Sequence, residues 1–517
     1  MGVRSADTGH PIARIDGFDM GYVSRLKSER LPPNAMTRAL NCTIENSDAV
    51  KRFGTSKYNA VALSTGAAPQ SLYWSQGMFT DKLVVTHGAT ISNLTGGVET
   101  VLTGGLLVGA RYGFAEALKG GTNFIYMATN GQAMRKWDGV AAATIAVPGA
   151  PTSLRYLAWH KRRLWAFGPT LYGMFLSNRD DGETWDLSNF LPFVQPADGI
   201  PTGLVSLEDY LVAFTEGGVF LIFGNNPDPP GVNLVTRKVG TRYHGAIAPY
   251  SIVLDDKGSA GGTIYYVAKD GIYALEGQTP KYLSRLIEPD WKSVNKAAID
   301  KCASVIDDDR LWVAVPFGTG QTTPNRVYVF HLRKPWLPVT IFTGWNVNLF
   351  VKYFLTGQIL FGDALRAFVV KYDTTVFDDE GADVDNDIIT AALAFQEAFG
   401  DYAALRARIM CDVSAGGTIT VSLGPNDADP DTDVDWREIP AGAITLEATG
   451  PRWGDYGGDV VVDRNGVVDY PANVVRDGDP RRANYWRMRF RAVNKKAMVL
   501  RRALLYAQDD SPSLTEG

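Results

Sequence analysis

At 517 residues, 45% hydrophobic and 21% charged, this chain is long enough for several domains with sizeable buried cores, which excludes an intrinsically disordered protein. A net charge of −5 excludes a chain that grips nucleic acid through its overall charge, although charge can still segregate locally. Three cysteines, Cys42, Cys302 and Cys411, stand far apart without a CxxC pair, so neither a zinc site nor a disulfide framework is expected.

From the start, MGVRSADTGH has no apolar core of a signal peptide, and Ala6 stands where a myristoylation motif wants Ser or Thr. No apolar run approaches the ~18 residues that would cross a bilayer. The expectation is a soluble chain without a secretion signal or membrane insertion. Residues 1–60 read as an extended arm that ends in a strand able to close a ring, with a helix over PNAMTRAL (33–40).

Residues 61–385 repeat one grammar: a polar turn, an apolar strand, a Gly-bearing turn and a second apolar strand. One anchor from each of the repeated segments gives Leu83, Phe124, Leu164, Leu211, Ile264, Leu311 and Ile359, with gaps of 41, 40, 47, 53, 47 and 48 residues. A four-stranded propeller blade occupies about 40–50 residues. The stretches ahead of each hairpin, such as PQSLYWS (69–75) and KCASVIDDD (301–309), supply inner strands. A lone hairpin of this kind cannot hide its apolar face, whereas a ring buries each face against two neighbours. The expected fold is all-β, a β-propeller of six or seven blades. Helix is scarce, with EPDWKSVNKAA (288–298) the other candidate. Residues 386–510 alternate as strands of a C-terminal antiparallel β-sandwich, and 511–517 read as a flexible tail.

Four constellations invite chemistry. SNRDDGETWDL (177–187) nearly spells the Asp-box hairpin of sialidase-type propellers, with Asp180 accepting turn amides, Gly182 supplying a positive φ and Trp185 packing inward. That motif braces a turn even in the enzymes that carry it, and no arginine triad or nucleophile pair accompanies it. The acidic run 425–438 offers Asp427, Asp429, Asp431, Asp433 and Asp435 as oxygen ligands for Ca²⁺, but it matches an EF-hand loop only in part and reads better as a solvated loop. Five histidines form no metal or triad spacing; Ser251 follows His244 by seven residues without such a pattern. Basic clusters at HKRRLW (160–165) and DPRRANYWRMRFR (479–491) suggest an outward-facing charged strand row, in which Arg481, Arg482, Arg487, Arg489 and Arg491 would either keep the protein soluble or meet an acidic partner. No catalytic residue, cofactor or metal is assigned, and no enzyme is expected.

Three passages together carry a family likeness. LPPNAMTRALNCTIENSDAVKRFGTSKY has an Asn, an acidic turn and an Arg-x-Gly; the stretch from LVAFTEGGVFLIFG to GIYALEGQTPKYLSRLIEPDW has an IFG strand end, a Gly-rich loop and a GIY strand; SNRDDGETWDL adds an S-x-x-D-x-x-x-W turn. Over residues 40–385 the layout resembles the tail nozzle, or hub, of short-tailed bacteriophages, also called the head-to-tail knob or packaged-DNA-stabilisation protein. The resemblance implies a virion tail protein assembled in the host cytoplasm as a homo-oligomer, typically a hexamer. It would sit below the adaptor and portal rings, hold packaged genomic DNA and conduct it at ejection without sequence-specific binding. Tail fibre proteins are further partners it allows. An acidic chain suits such a conduit, since a mildly repelling wall lets a duplex slide. The loops 225–233 and 318–326 are expected to face the channel or a neighbour. Two readings stay open beside it: a glycan-binding propeller or glycoside hydrolase, and a receptor-binding or baseplate protein at a tail tip.

Overall fold

The chain divides into two compact units, one formed by residues 1–55, 328–344 and 373–517, the other by residues 56–327 and 345–372. The computed structural model describes residues 3–4, 11–75, 77, 79, 81–224, 234–240, 244–256, 262–334, 336–353, 355–394, 402–413, 418–425, 429, 431, 436–438, 444–445, 461–462, 467–471 and 485–509. The loop 225–233 and the tail 511–517 therefore lie outside the described residues.

Among the described residues of the second unit, the seven repeats fold as five four-stranded antiparallel sheets followed by two further antiparallel strand groups, taken below as the sixth and seventh sheets. The first four-stranded sheet comprises Pro69–Trp74, Leu83–His87, Thr90–Asn93 and Thr100–Thr103. The second to fifth begin with Gly113–Lys119, Tyr156–His160, Pro201–Ser206 and Val253–Asp255, and each also has four strands. The sixth opens with Ala303–Asp307 paired to Arg310–Val315; the seventh contains Val347–Lys352, Ile359–Asp363 and Val369–Asp373. Every anchor of the sequence period falls on the second strand of its sheet. Six of them are buried, while Phe124 is half-buried under the Lys136 ammonium, 4.3 Å from its ring centroid.

The first strands form the inner wall. Gly113–Lys119 lies beside Tyr156–His160, which lies beside Pro201–Ser206; Val253–Asp255, Ala303–Asp307 and Val347–Lys352 continue the series, and Val347–Lys352 returns to Pro69–Trp74. The remaining joints are made by the Tyr112 amide, which donates to Ser71 Oγ at 2.8 Å, and by the Ile252 side chain against Gly203. Between neighbouring sheets lie separate apolar layers, such as Leu157, Leu164 and Trp185 with Ala117 and Tyr126, or Phe214 and Leu221 with Ile264 and Tyr273. Each fully buried Leu or Phe there stabilises the ring by about 1.5–3 kcal/mol. The chain ahead of the first sheet is tied to the last strand of the seventh: the Tyr58 amide donates to Val369 O at 2.9 Å, and Asn59 Oδ1 accepts from the Val369 amide at 2.7 Å.

The first unit is a sandwich of two sheets. Pro11–Ile15, Met498–Asp509, Tyr402–Val413 and Val467–Pro471 pair in that order in one sheet, and the hairpin Cys42–Glu45/Asp48–Lys51 joins it. Ala35–Leu40, Ala382–Thr390, Tyr485–Asn494 and Thr418–Pro425 make the other. Ile15, Ile44, Leu500 and Leu505 of one sheet bury against Met36, Ile388, Met488 and Phe490 of the other. The first 55 residues thus contribute strands to the same unit as the C-terminal sheet. The helix expected over 33–40 is instead the strand Ala35–Leu40, paired antiparallel to Asp387–Thr390; sheet pairing outweighs the local helix preference of Ala, Met and Leu. Over 288–298 the helix shrinks to one turn, Glu288–Trp291, followed by a 3₁₀ segment Lys296–Lys301.

Arg52, 1% exposed, ties together the three chain segments of this unit. Its Nε donates to Asn41 Oδ1 at 2.9 Å, Nη1 to Asp379 Oδ1 at 3.0 Å and Nη2 to Thr343 O at 3.1 Å. Asn41 Nδ2 completes the clasp with Thr343 Oγ1 and Asp385 O at 3.0 and 2.7 Å. The Asn and Arg of the arm motif are its two hubs.

Candidate functional site

The Asp-box lookalike is a hairpin of the third sheet stitched to the second. The roles within it differ from the sequence expectation. Asp181, not Asp180, accepts the turn amides: its Oδ1 takes the Glu183 amide at 2.9 Å and the Thr184 amide at 3.2 Å, and Oδ2 takes Thr184 Oγ1 at 2.8 Å. Asp180 supplies the positive φ, 55°, and its carboxylate pairs with Arg162 at the surface. Gly182 is needed for close approach instead, because a Cβ there would stand 2.7 Å from Tyr126 Cζ. Trp185 packs inward as expected, 9% exposed. Lys119 reaches Asp181, Lys136 reaches Glu183, and the Gly182 amide donates to Leu118 O at 3.1 Å. Burial alone would raise the Asp181 carboxyl; the hydrogen bonds from Lys119, the Glu183 amide and Thr184 outweigh it and hold the pKa below the usual carboxylate range.

The arginine strand is not a free charged row. Arg487 and Arg489 are each 6% exposed, on the strand face opposite Met488 and Phe490. Trp436 covers that face, with the two guanidinium carbons 5.3 and 5.8 Å from its ring centroid. Arg489 grips Asp387 through two 2.9 Å hydrogen bonds, and Arg38 Nε lies 2.8 Å from the same carboxylate. Arg491 pairs with Asp385 at 2.8 Å and is the more exposed of these. Arg481 and Arg482 lie outside the described residues. Of the calcium candidates, Asp431 is paired with Arg38 at 2.6 Å and Asp429 Oδ1 accepts the Asp431 amide at 2.9 Å; Asp427, Asp433 and Asp435 lie outside the described residues. No cluster of three metal-ligating side chains occurs among the described residues.

The histidines and the serine singled out are structural where described. Ser251 Oγ accepts the Val267 amide at 2.9 Å and donates to Ala248 O at 2.7 Å. His87 is fully buried between Thr65 Oγ1 at 2.7 Å and Ser92 Oγ at 3.0 Å, with Glu99 Oε1 at 2.8 Å. This Ser–His–Glu group has acid–base chemistry but no access, since His87 and Ser92 are both 0% exposed. Burial lowers the His87 pKa, keeping the ring neutral. Burial also pushes the Cys42 and Cys302 thiols up, away from thiolate reactivity.

A constellation that the sequence did not announce links four of the sheets. Tyr250, just ahead of the fifth sheet, reaches across to the first, with its hydroxyl 2.8 Å from Ser71 Oγ. The Arg111 guanidinium stands 4.9 Å from the Tyr250 ring centroid and donates to Asn348 Oδ1 of the seventh sheet at 2.7 Å. Side chains from the first, second, fifth and seventh sheets thus meet where inner strands begin. Such a meeting depends on residues 41 to 237 positions apart, and no local motif marks it.

No protein-family model matches the chain, and no curated protein matches it. Among solved structures it is similar to Raptor of Chaetomium thermophilum, at 10% identity over 63% of this chain, with a TM-score of 0.43; the chain spans about 29% of that protein's length. It is also similar to YCF48 bound to a D1 peptide, at 13% identity over 62% of this chain and 98% of that one, with a TM-score of 0.37. Neither likeness bears on what the chain does.

Proposed function

We propose that the protein is a structural component of a bacteriophage tail, the nozzle below the portal and adaptor rings, which retains packaged DNA and conducts it during ejection. The observation that carries this reading is where the conspicuous charged residues go. Asp181 and Glu183 clamp one sheet of the ring to the next, and Arg52 with Asn41 clamps the arm motif that bears the family likeness. These are braces, as a mechanically stressed particle component requires, and the net charge of −5 suits a wall that DNA slides along. In this reading the conduit is formed between copies, arranged head to tail around a common axis. The test is the mass of the purified chain in solution, alone and with a portal–adaptor complex. A hexameric ring on the complex is expected. A monomer that ignores the complex and cleaves a glycan overturns the proposal.

A further inference from the structure

Where the fifth sheet meets Glu288–Trp291, the surface opens a cleft of ≈ 470 Å³, within the range of small-ligand sites. Its wall is the half-buried Tyr282, edge to face with the buried Tyr273 at 5.3 Å, and the buried Trp291. Gly271 makes that wall possible: a Cβ there would come within 2.2 Å of Tyr282 Cε2 and 2.5 Å of Ser284 Oγ. Around it stand Lys269, Lys292 and Lys296, together with the carboxylates of Asp270 and Glu288. The Tyr273 hydroxyl donates to Asp270 Oδ2 at 2.8 Å. Lys296 Nζ donates to Trp291 O at 2.7 Å and stands 4.9 Å from its ring centroid. Burial draws the Lys296 pKa down, an effect that a bound anion would reverse. Lys269 and Lys292 are exposed and have no ion pair among the described residues.

This lining selects a chemistry. Three ammonium groups against two carboxylates leave an excess of one positive charge. A monoanion balances it, whereas a phosphate dianion overshoots and meets Asp270 and Glu288 directly. Carboxylates accept only, so they favour a ligand rich in hydroxyl donors, and the half-buried Tyr282 ring favours one with an apolar face. We propose that the cleft binds a carboxylate-bearing sugar, a site independent of the nozzle assignment.

The experiment is a titration of the full-length chain, read by ligand-observed saturation-transfer NMR, with glucuronate, N-acetylneuraminate, glucose and glucose 6-phosphate. Saturation of the ring protons of at least one of the two carboxylated sugars is expected, with glucose and the phosphate ester binding more weakly. Replacing the two lysines that make no contact like that of Lys296 with Trp291, Lys269→Ala with Lys292→Ala, is expected to weaken binding about tenfold and leave the melting temperature unchanged. Gly271→Ala, which displaces Tyr282 without changing charge, is expected to weaken it as well. The proposal is overturned if neither carboxylated sugar binds, if glucose or the phosphate ester binds as tightly, or if the lysine pair can be removed without loss.

Discussion

A guanidinium buried among three strangers in sequence is a liability unless every donor is satisfied, and Arg52 meets that condition through Asn41, Asp379, Thr343 and its own neighbour Phe53. Arg52→Met strips the guanidinium from Asp379, Asn41 and Thr343 O at once, so a loss of about 3 kcal/mol or more is expected in denaturant unfolding. Wild-type stability in that variant would show the clasp to be idle. The same scale separates two adjacent aspartates. Asp181→Ala should cost about 1–3 kcal/mol, because it orphans two turn amides and Lys119, while Asp180→Asn, which keeps a residue tolerant of the positive φ and removes only the exposed pair with Arg162, should cost under about 1 kcal/mol. Equal melting curves for the two would contradict the assignment. His160 supplies a pH dependence: it is 5% exposed, hydrogen-bonded through Nδ1 to Ser206 Oγ at 2.9 Å, and burial followed by the charge of Lys161 pushes its pKa from 6.5 to about 4. Between those values the unfolded chain binds the extra proton, so stability falls as pH drops through that window, by an amount on the order of 3 kcal/mol. Thermal melts from about pH 7.5 to 4.5 should show this acid limb, and His160→Gln should flatten it.

Among elements, what could be read in the sequence was the strand-turn-strand period, because each second strand places an apolar residue such as Leu164 or Leu211 in a core with 0% exposure. Elements settled by distant partners could not. Ala35–Leu40 looks helical until Asp387–Thr390 pairs with it, and Arg487 and Arg489 look solvent-facing until Trp436, some fifty residues earlier, lies over them. HKRRLW reads as a basic patch, yet Lys161 and Arg162 form a two-residue hairpin turn with φ of 46° and 66° between His160 and Arg163. That backbone is costly for residues with a Cβ. It is held by Lys161 Nζ, which donates to Asp209 O at 2.9 Å and Gly224 O at 2.8 Å, and by the Arg162–Asp180 pair. Replacing Lys161-Arg162 with Asn-Gly should preserve the hairpin and hold or raise the melting temperature, since those residues favour that turn. A drop in melting temperature would instead give the lysine contacts the larger role.

At the scale of the whole chain, ring closure rests on few atoms. Asn59, 1% exposed, accepts the Val369 amide and donates to Val61 O at 2.8 Å. Asn59→Ala leaves a buried amide unpaired and should cost about 1–3 kcal/mol, with hydrogen exchange rising first in Val369–Asp373. Uniform exchange across all sheets would argue against a localised seam. Seven sheets were within reach of the spacing, but the link among four of them was not, because Tyr250, Ser71, Arg111 and Asn348 come from four distant repeats. The tyrosine spanning those repeats acts as a crossbar: it joins the first and fifth sheets directly, so strain on one reaches the other without passing through the sheets between them. Trimming the crossbar would loosen the ring from within while every sheet kept its own hydrogen bonds.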